Sequence, residues 1–169
     1  DWTWVLREPC PECGIDAGRI EPAEVAGLAR RCARDWLEVL GSDGDLRGRP
    51  APDRWSTLEY GCHVRDVFRT ANGRLALMLE QDDPEFANWD QDATAVADRY
   101  AEQDPELVAA ELVTAADLFA DALDGVEGAH WDRPGRRSDG ARFTVATFAQ
   151  YVIHDPIHHL VDVGGAAGG

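Results

Sequence analysis

The residues best suited to chemistry lie near the end of the chain, in the run His154-Asp155-Pro156-Ile157-His158-His159. His154 and His158 are four residues apart, so on an α-helix both imidazoles leave the same face and can bind one cation. A third imidazole, from His63, would complete a site of three neutral nitrogen ligands with coordination positions left open, which is typical of a reactive metal. We therefore predict His63, His154 and His158 as metal ligands.

Pro156 lies between the two paired histidines and bears on whether the helix continues. A proline inside a helix costs about 3 kcal/mol, a cost that is more readily explained at a functional site than in plain packing. Two alternatives stay open: the three histidines are incidental members of a polar helix face, or the proline ends the helix. If the helix continues, Asp155 and His159 point away from the face of His154 and His158, and we leave both out of the ligand set.

Three carboxylates lie about one helical turn from the predicted ligands. Glu59 precedes His63 by four residues, and Asp66 follows His63 by three. Asp162 follows His158 by four. A carboxylate in such a position orients a metal-bound imidazole or accepts a proton during catalysis. We predict Glu59 and Asp66 as catalytic residues and Asp162 as the residue that orients His158.

A second pattern with metal-binding chemistry is Cys10-Pro11-Glu12-Cys13-Gly14, which has the form of half a zinc knuckle. A structural zinc site needs four ligands, and the sequence contains no second pair of cysteines with this spacing. Three interpretations of Cys10 and Cys13 stay open: a redox or disulfide pair, a second metal site completed by Cys32 or a histidine, and plain turn residues. Cys62 is expected in the core.

The spacing of apolar residues predicts an all-α fold, a four-helix bundle with long connections between its helices. No convincing strand pattern is present. Ser56 and Glu59 form a capping box that marks the start of the second helix, and Pro105 opens the third. The predicted helices cover residues 23–40, 57–81, 106–123 and 144–163. The predicted organisation is an N-terminal arm that contains the two cysteines (1–21), the bundle (22–163) and a flexible Gly/Ala tail (164–169).

Charge and composition exclude some classes of partner. The chain has 169 residues, with 16 basic and 32 acidic side chains and a formal net charge of -16. This acidic excess argues against binding to nucleic acid phosphates, and no run of 18 apolar residues indicates a membrane span. Four cysteines are too few for a disulfide scaffold, and no apolar leader opens the chain, so we expect a cytoplasmic protein.

Several segments resemble the DinB-like superfamily, especially the branch that includes the N-terminal domain of mycothiol-dependent maleylpyruvate isomerase. The resemblance extends over about residues 22–163. It is carried by residues 55–67 (WSTLEYGCHVRDV), 137–140 (RSDG), 143–145 (FTV) and 151–163 (YVIHDPIHHLVDV). It implies a four-helix bundle and a divalent transition metal, most often zinc or nickel, on one histidine of the second helix and an HxxxH pair of the last. These positions correspond to His63, His154 and His158.

The resemblance also implies a metal-dependent thiol S-transferase or isomerase that uses a low-molecular-weight thiol such as mycothiol. A bound cation makes a thiol into a thiolate, which attacks an electrophile. Arg65 and Arg137 are predicted to hold substrate carboxylates, and Trp89 and Tyr151 to form pocket walls. The alternatives are a metal-dependent hydrolase on the same site and a non-catalytic metal-binding stress-response module. The expected partners are a small thiol and an electrophile, and the sequence leaves a monomer and a homodimer open.

Overall fold

The structure, a computed structural model, describes residues 2–164 and confirms the predicted helical bundle. Four long helices form it, and a short fifth helix lies in the connection between the second and third of them. The helices are α1 (Val25–Leu40), α2 (Thr57–Glu80), α3 (Gln91–Ala97), α4 (Pro105–Asp124) and α5 (Val145–Asp162). Pro156 lies inside α5, so the proline does not end the last helix. Most of the predicted tail, residues 165–169, lies outside the described residues.

Side-chain caps mark where three of the four long helices, α2, α4 and α5, begin. The hydroxyl of Ser56 accepts a hydrogen bond from the Glu59 backbone N–H, and the Glu59 carboxylate accepts one from the Ser56 backbone N–H, as the capping box predicts. Asp104 accepts hydrogen bonds from two backbone N–H groups in the first turn of α4. Thr144 and Thr147 make the same reciprocal pair at the start of α5. These caps satisfy N–H groups that have no partner within the helix.

The core lies between the long helices and is rich in aromatic side chains. Phe68 of α2 packs against Phe119 of α4, with ring centroids 5.9 Å apart. Trp36 of α1 is fully buried, and its Nε1–H donates to the carbonyl oxygen of Pro156 at 3.0 Å. This hydrogen bond joins α1 to the middle of α5, the part of the helix that carries the histidines.

A small sheet joins the long connections, and the expectation of no strands was therefore wrong. Its strands are β1 (Glu85–Phe86), β2 (Pro134–Arg137) and β3 (Arg142–Thr144). β2 pairs with β1 in parallel and with β3 in antiparallel orientation. The strands are two to four residues long and contain Pro, Gly and Arg, so they have none of the apolar alternation by which a strand is predicted.

The N-terminal arm packs against α5 in a series of short 3-10 turns. The side-chain amide of Gln150 donates to the carbonyl oxygen of Ile20 at 2.7 Å. The ring of Trp2 lies against the histidines of α5, as described below. Within residues 2–164, no helix combines the length and the apolar character needed to cross a bilayer.

The adjacent pair Leu118 and Phe119 tests which face of α4 carries the core. Phe119 is fully buried, whereas Leu118 is 58% exposed. We expect Phe119→Ala to lower the free energy of unfolding by about 3–5 kcal/mol, because it leaves a cavity against Phe68. Leu118→Ala should change it by less than about 0.5 kcal/mol. Urea denaturation followed by circular dichroism measures both, and equal effects of the two variants would contradict the described packing.

Candidate functional site

Three side chains from α2 and α5 converge on one point in the bundle. The Nε2 atom of His63 lies 3.1 Å from Oδ1 of Asp155, and Nε2 of His159 lies 3.7 Å from the same oxygen. One ligand atom from each of these three residues lies within 4.8 Å of the other two. Two imidazole nitrogens and a carboxylate oxygen at these separations are suited to bind one cation.

The structure does not assemble the predicted triad of His63, His154 and His158. His154 and His158 instead group with Cys10 and Cys13 of the N-terminal arm, with the ligand atoms of these four residues within 4.8 Å of one another. The histidines of the predicted site are thus divided between two clusters.

The reason for this division is the rotation of the helix. Successive residues on an α-helix are about 100° apart, so the pair 154/158 and the pair 155/159 occupy neighbouring faces with the same i, i+4 spacing. Asp155 and His159 lie on a different face from His154 and His158, as the helical spacing predicted. The pair that meets His63 of α2 is 155/159 and not 154/158, because spacing alone does not say which face meets a neighbouring helix.

The imidazole of His159 is oriented by a carboxylate. Its Nδ1 atom lies 2.9 Å from Oδ2 of Asp162, so Nδ1 donates a proton to that oxygen and Nε2 presents its lone pair to Asp155. A carboxylate behind the ring in this way is usual for metal-binding histidines. Asp162 was predicted to orient His158, and it also lies 3.6 Å from Nε2 of that residue.

The charges at the cluster favour ionised Asp155. Burial of its carboxyl opposes ionisation, but His63 and His159 outweigh burial and lower the pKa of Asp155 to about 2. His63 is fully buried, and within residues 2–164 its Nδ1 atom has no hydrogen-bond partner. The other ring nitrogen, Nε2, faces the ionised carboxylate of Asp155, so a cation bound between these two atoms would be held by a nitrogen and by a negatively charged oxygen. The donor set therefore fits a divalent metal.

The cluster opens into a cleft of about 480 Å³, a size suited to a small organic molecule. Trp89 stacks on the ring of His63, with centroids 5.4 Å apart and planes 5° from parallel. Trp89, Arg137 and Tyr151, all predicted to bind substrate, meet in this cleft beside Asp155 and His159. A narrower extension of the cleft reaches Arg74, which the sequence analysis did not single out.

Arg137 is the principal cation of the cleft wall. Its Nε donates to the carboxylate of Asp139 at 2.9 Å, and its Nη1 donates to the hydroxyl of Tyr151 at 3.0 Å. Burial works against the charged form of Arg137, but the hydrogen bond to Asp139 outweighs it and raises the pKa of the guanidinium. Burial and the neighbouring charge of Arg137 lower the pKa of Arg74. The cleft wall thus carries a charged guanidinium that is paired with Asp139, and it also carries the carboxylates of Asp90, Asp92 and Asp155.

Glu59 lies elsewhere and has a structural contact in place of the predicted catalytic one. Its carboxylate accepts hydrogen bonds from Nε of Arg49 at 2.9 Å and from the backbone N–H of Ser56 at 2.8 Å. It belongs to neither metal-ligand cluster and does not line the cleft. Glu59 is only one helical turn before His63 in the sequence. Its side chain nevertheless turns back to the start of α2, where it contacts Ser56 and Arg49.

Arg65 and Asp66 also lie away from the cleft, in a buried ion pair. Two guanidinium nitrogens of Arg65 donate to the two carboxylate oxygens of Asp66, each at 2.9 Å. Tyr100 donates its hydroxyl to Asp66 at 2.7 Å, and Glu111 of α4 accepts from Arg65 at 3.0 Å. Burial opposes ionisation of Asp66, but Arg65 and Tyr100 outweigh it and lower its pKa. This network joins α2 to α4 and to the preceding connection.

Comparison with known proteins identifies the family. The sequence profile of the DinB superfamily matches residues 22–162. The chain belongs to the DinB superfamily, as the sequence motifs predicted. Its structure is similar to that of YfiT from Bacillus subtilis, with a TM-score of 0.74 and 16% identity over 85% of each chain. YfiT is described as a probable metal-dependent hydrolase with an unusual four-helix bundle topology. A comparison with curated proteins found no match.

The ion pair of Arg65 and Asp66 predicts a measurable loss of stability in Asp66→Asn. We expect a decrease of about 3 kcal/mol in the free energy of unfolding at pH 7, because a buried guanidinium loses its charged partner. This value is at the low end of the usual range because Glu111 still accepts from Arg65. Asp117→Asn, on the exposed face of α4, is the matched control and should have little effect.

The same pair predicts a pH dependence. Because the pKa of Asp66 is lower in the folded state, its stabilising contribution is present above the ordinary value of about 3.9 and is lost as the pH falls through the folded value. The difference in the free energy of unfolding between the wild type and Asp66→Asn should therefore become smaller as the pH falls. A difference that stayed constant from neutral pH into strong acid would contradict the ion pair.

Proposed function

We propose that this protein is a metal-dependent enzyme that binds a divalent transition metal at His63, Asp155 and His159. It acts on a small, carboxylate-bearing molecule in the adjoining cleft. The observation that supports this most directly is the position of the cluster: Asp155 and His159 line the same cleft as the buried guanidinium of Arg137. A cation site and an anion-binding group in one small cavity are suited to hold and activate one substrate.

The donor set suits the proposed metal. Imidazole and carboxylate ligands are common for zinc, nickel and similar ions, and three protein ligands leave positions open. When bound, such an ion acts as a Lewis acid and lowers the pKa of a thiol or a water molecule. Asp162 keeps the proton of His159 on Nδ1, so that Nε2 remains available as a ligand.

The side chains around the cluster bind and shield the substrate. Arg137, held by Asp139, attracts a carboxylate group of the substrate or of a co-substrate. Tyr151 accepts a hydrogen bond from Arg137, so its own hydroxyl proton is directed elsewhere and can be donated to a substrate oxygen. Trp89 covers one face of His63 and keeps water from that side of the cluster.

The nucleophile in this proposal comes from outside the chain. None of the residues that line the cleft or its extension is a Ser, Cys or Lys. A low-molecular-weight thiol is the preferred nucleophile, which makes the reaction an S-transfer or a thiol-dependent isomerisation. The resemblance of the sequence motifs to the mycothiol-dependent branch supports this choice, and the positive charge of Arg137 suits a carboxylate on the electrophile.

Hydrolysis is the second candidate, and the structural similarity to YfiT favours it. In that reaction water takes the place of the thiol, and no co-substrate is needed. The two candidates differ in one requirement: the transferase needs a thiol, whereas the hydrolase works without one.

Activity assays of protein reconstituted with zinc or nickel distinguish them. Electrophiles that carry a carboxylate are supplied with and without a low-molecular-weight thiol, and loss of electrophile and of free thiol is followed. Equal consumption of thiol and electrophile supports the transferase, and turnover without thiol supports the hydrolase. Turnover of neither class by metal-loaded protein would contradict an enzymatic role.

The metal cluster predicts graded effects of substitution. His159→Ala should abolish activity and the metal bound at this cluster, because it removes a ligand. Asp162→Asn should lower activity or metal affinity by about 10–100-fold, since it removes only the group that orients His159. His130→Ala, an exposed histidine, is the control and should leave both unchanged. Full activity in His159→Ala would contradict the assignment of this centre.

A further inference from the structure

A second cluster of metal-binding side chains lies between the N-terminal arm and α5. Sγ of Cys10 lies 3.5 Å from Nδ1 of His158, and Sγ of Cys13 lies 3.6 Å from Nε2 of His154. The four ligand atoms all lie within 4.8 Å of one another. The cluster shares no residue with the centre at His63, Asp155 and His159.

The arm forms a tight turn that brings the two cysteines together. The backbone N–H of Gly14 donates to the carbonyl oxygen of Cys10 at 2.8 Å, and the N–H of Cys10 donates to the carbonyl oxygen of Ile15 at 2.8 Å. Gly14 has φ of 78°, in the left-handed region that favours glycine. The turn therefore depends on the Cys-Pro-Glu-Cys-Gly sequence and directs both sulfur atoms toward α5.

The distances between ligand atoms match a tetrahedral zinc ion. Zinc–sulfur bonds of about 2.3 Å and zinc–nitrogen bonds of about 2.0–2.1 Å, set at the tetrahedral angle, separate sulfur from nitrogen by about 3.6 Å. The two observed separations are 3.5 and 3.6 Å. Two thiolates and two imidazoles are also a donor combination that favours zinc among the common metals.

Most of this cluster is buried. Cys10, His154 and His158 are 3%, 1% and 5% exposed, and Cys13 is half-buried. The ring of Trp2 covers the two imidazoles, with centroids 5.0 Å from His154 and 4.7 Å from His158. A dication bound by two thiolates and two neutral imidazoles has no net charge, so burying the whole unit avoids the large cost of burying a charge.

The outer contacts of His158 agree with metal binding. Nε2 of His158, on the side of the ring away from Cys10, lies 3.3 Å from a carboxylate oxygen of Glu12 and 3.6 Å from one of Asp162. A carboxylate that accepts the remote N–H is the usual partner of a metal-bound histidine. His154 faces Cys13 through Nε2. A thiol is only a weak partner for that buried nitrogen, whereas a metal bond is a strong one.

We propose that Cys10, Cys13, His154 and His158 bind a structural zinc ion that fastens the N-terminal arm to α5. Four protein ligands leave no open position, so this zinc stabilises the fold and takes no part in the reaction. The bound ion also holds Trp2 in place. Trp2 contacts His159 at a centroid distance of 5.5 Å and lines the cleft, so the zinc fixes one wall of the neighbouring site.

A redox pair is the competing interpretation of the two cysteines. A disulfide between Cys10 and Cys13 would consume both thiolates, and neither imidazole would then have a negatively charged sulfur to face. The placement of one histidine against each sulfur is explained by a shared cation and is not needed by a disulfide. The two interpretations give opposite results in the experiment below.

The test uses the wild-type protein, purified without a His-tag or added metal. Zinc K-edge X-ray absorption should show a sulfur shell at about 2.3 Å and nitrogen ligands at about 2.0–2.1 Å. After replacement of zinc by cobalt, thiolate-to-cobalt charge-transfer bands and intense tetrahedral d–d bands should appear. A zinc or cobalt protein with only nitrogen and oxygen ligands, or a stable Cys10–Cys13 disulfide in the purified protein, would overturn the proposal.

Matched variants assign the signal to these residues. Cys10→Ser/Cys13→Ser should lose one zinc ion per chain and the thiolate bands, whereas Cys62→Ser, a buried cysteine outside the cluster, should keep both. His159→Ala should keep the thiolate bands even though it loses the other centre, so failure of the proposed enzymatic function does not affect this test. Thiolate bands that survive in the double variant would overturn the assignment. The wild-type spectra decide the question if the double variant does not fold.

Discussion

The arrangement of this molecule depends on the way α5 faces two neighbours at once. Consecutive residues on a helix are about 100° apart, so two pairs with i, i+4 spacing can interleave in six residues and face different partners. The pair 155/159 meets His63 of α2, and the pair 154/158 meets the cysteines of the N-terminal arm. One helix therefore supplies ligands to both proposed metal centres, and its rotation fixes both of them together.

Contacts with the rest of the bundle fix the orientation of α5 about its own axis. Trp36 donates a hydrogen bond to the carbonyl oxygen of Pro156, between the two ligand pairs, and Thr144 caps the start of the helix. Arg65, which is paired with Asp66 on α2, also donates to Glu111 of α4 and so joins α4 to the helix that carries His63. Acidic side chains that looked catalytic thus serve mainly to position the helices. The reactive groups of the proposed site are His63, Asp155 and His159, which meet where α2 faces α5.

The sequence was sufficient to predict the long helices, the capping box at Ser56 and the family, because each depends on local spacing or on a local motif. It also predicted that Trp89, Arg137 and Tyr151 belong with the histidines. It could not divide His154 and His158 from Asp155 and His159, because both pairs have identical spacing and the choice depends on packing against residues about ninety positions away. The short strands were missed because backbone pairing, and no apolar pattern, defines them.

The arm illustrates the same limit. A metal site was one of three interpretations left open for Cys10 and Cys13, and the two histidines that face them lie more than 140 positions later in the chain and were assigned to another site. A local pattern predicts a half-site, and only the fold identifies the other half. The small sheet also depends on distant parts of the chain, and its strand β2 ends at Arg137, which lines the same cleft as Asp155 and His159.

The most direct measurement is a crystal structure of the metal-loaded protein, with anomalous scattering used to locate the ions. The account predicts two peaks per chain, one among Cys10, Cys13, His154 and His158 and the other among His63, Asp155 and His159. A single peak bounded by His63, His154 and His158 would contradict the division of ligands on α5, and with it both proposed centres.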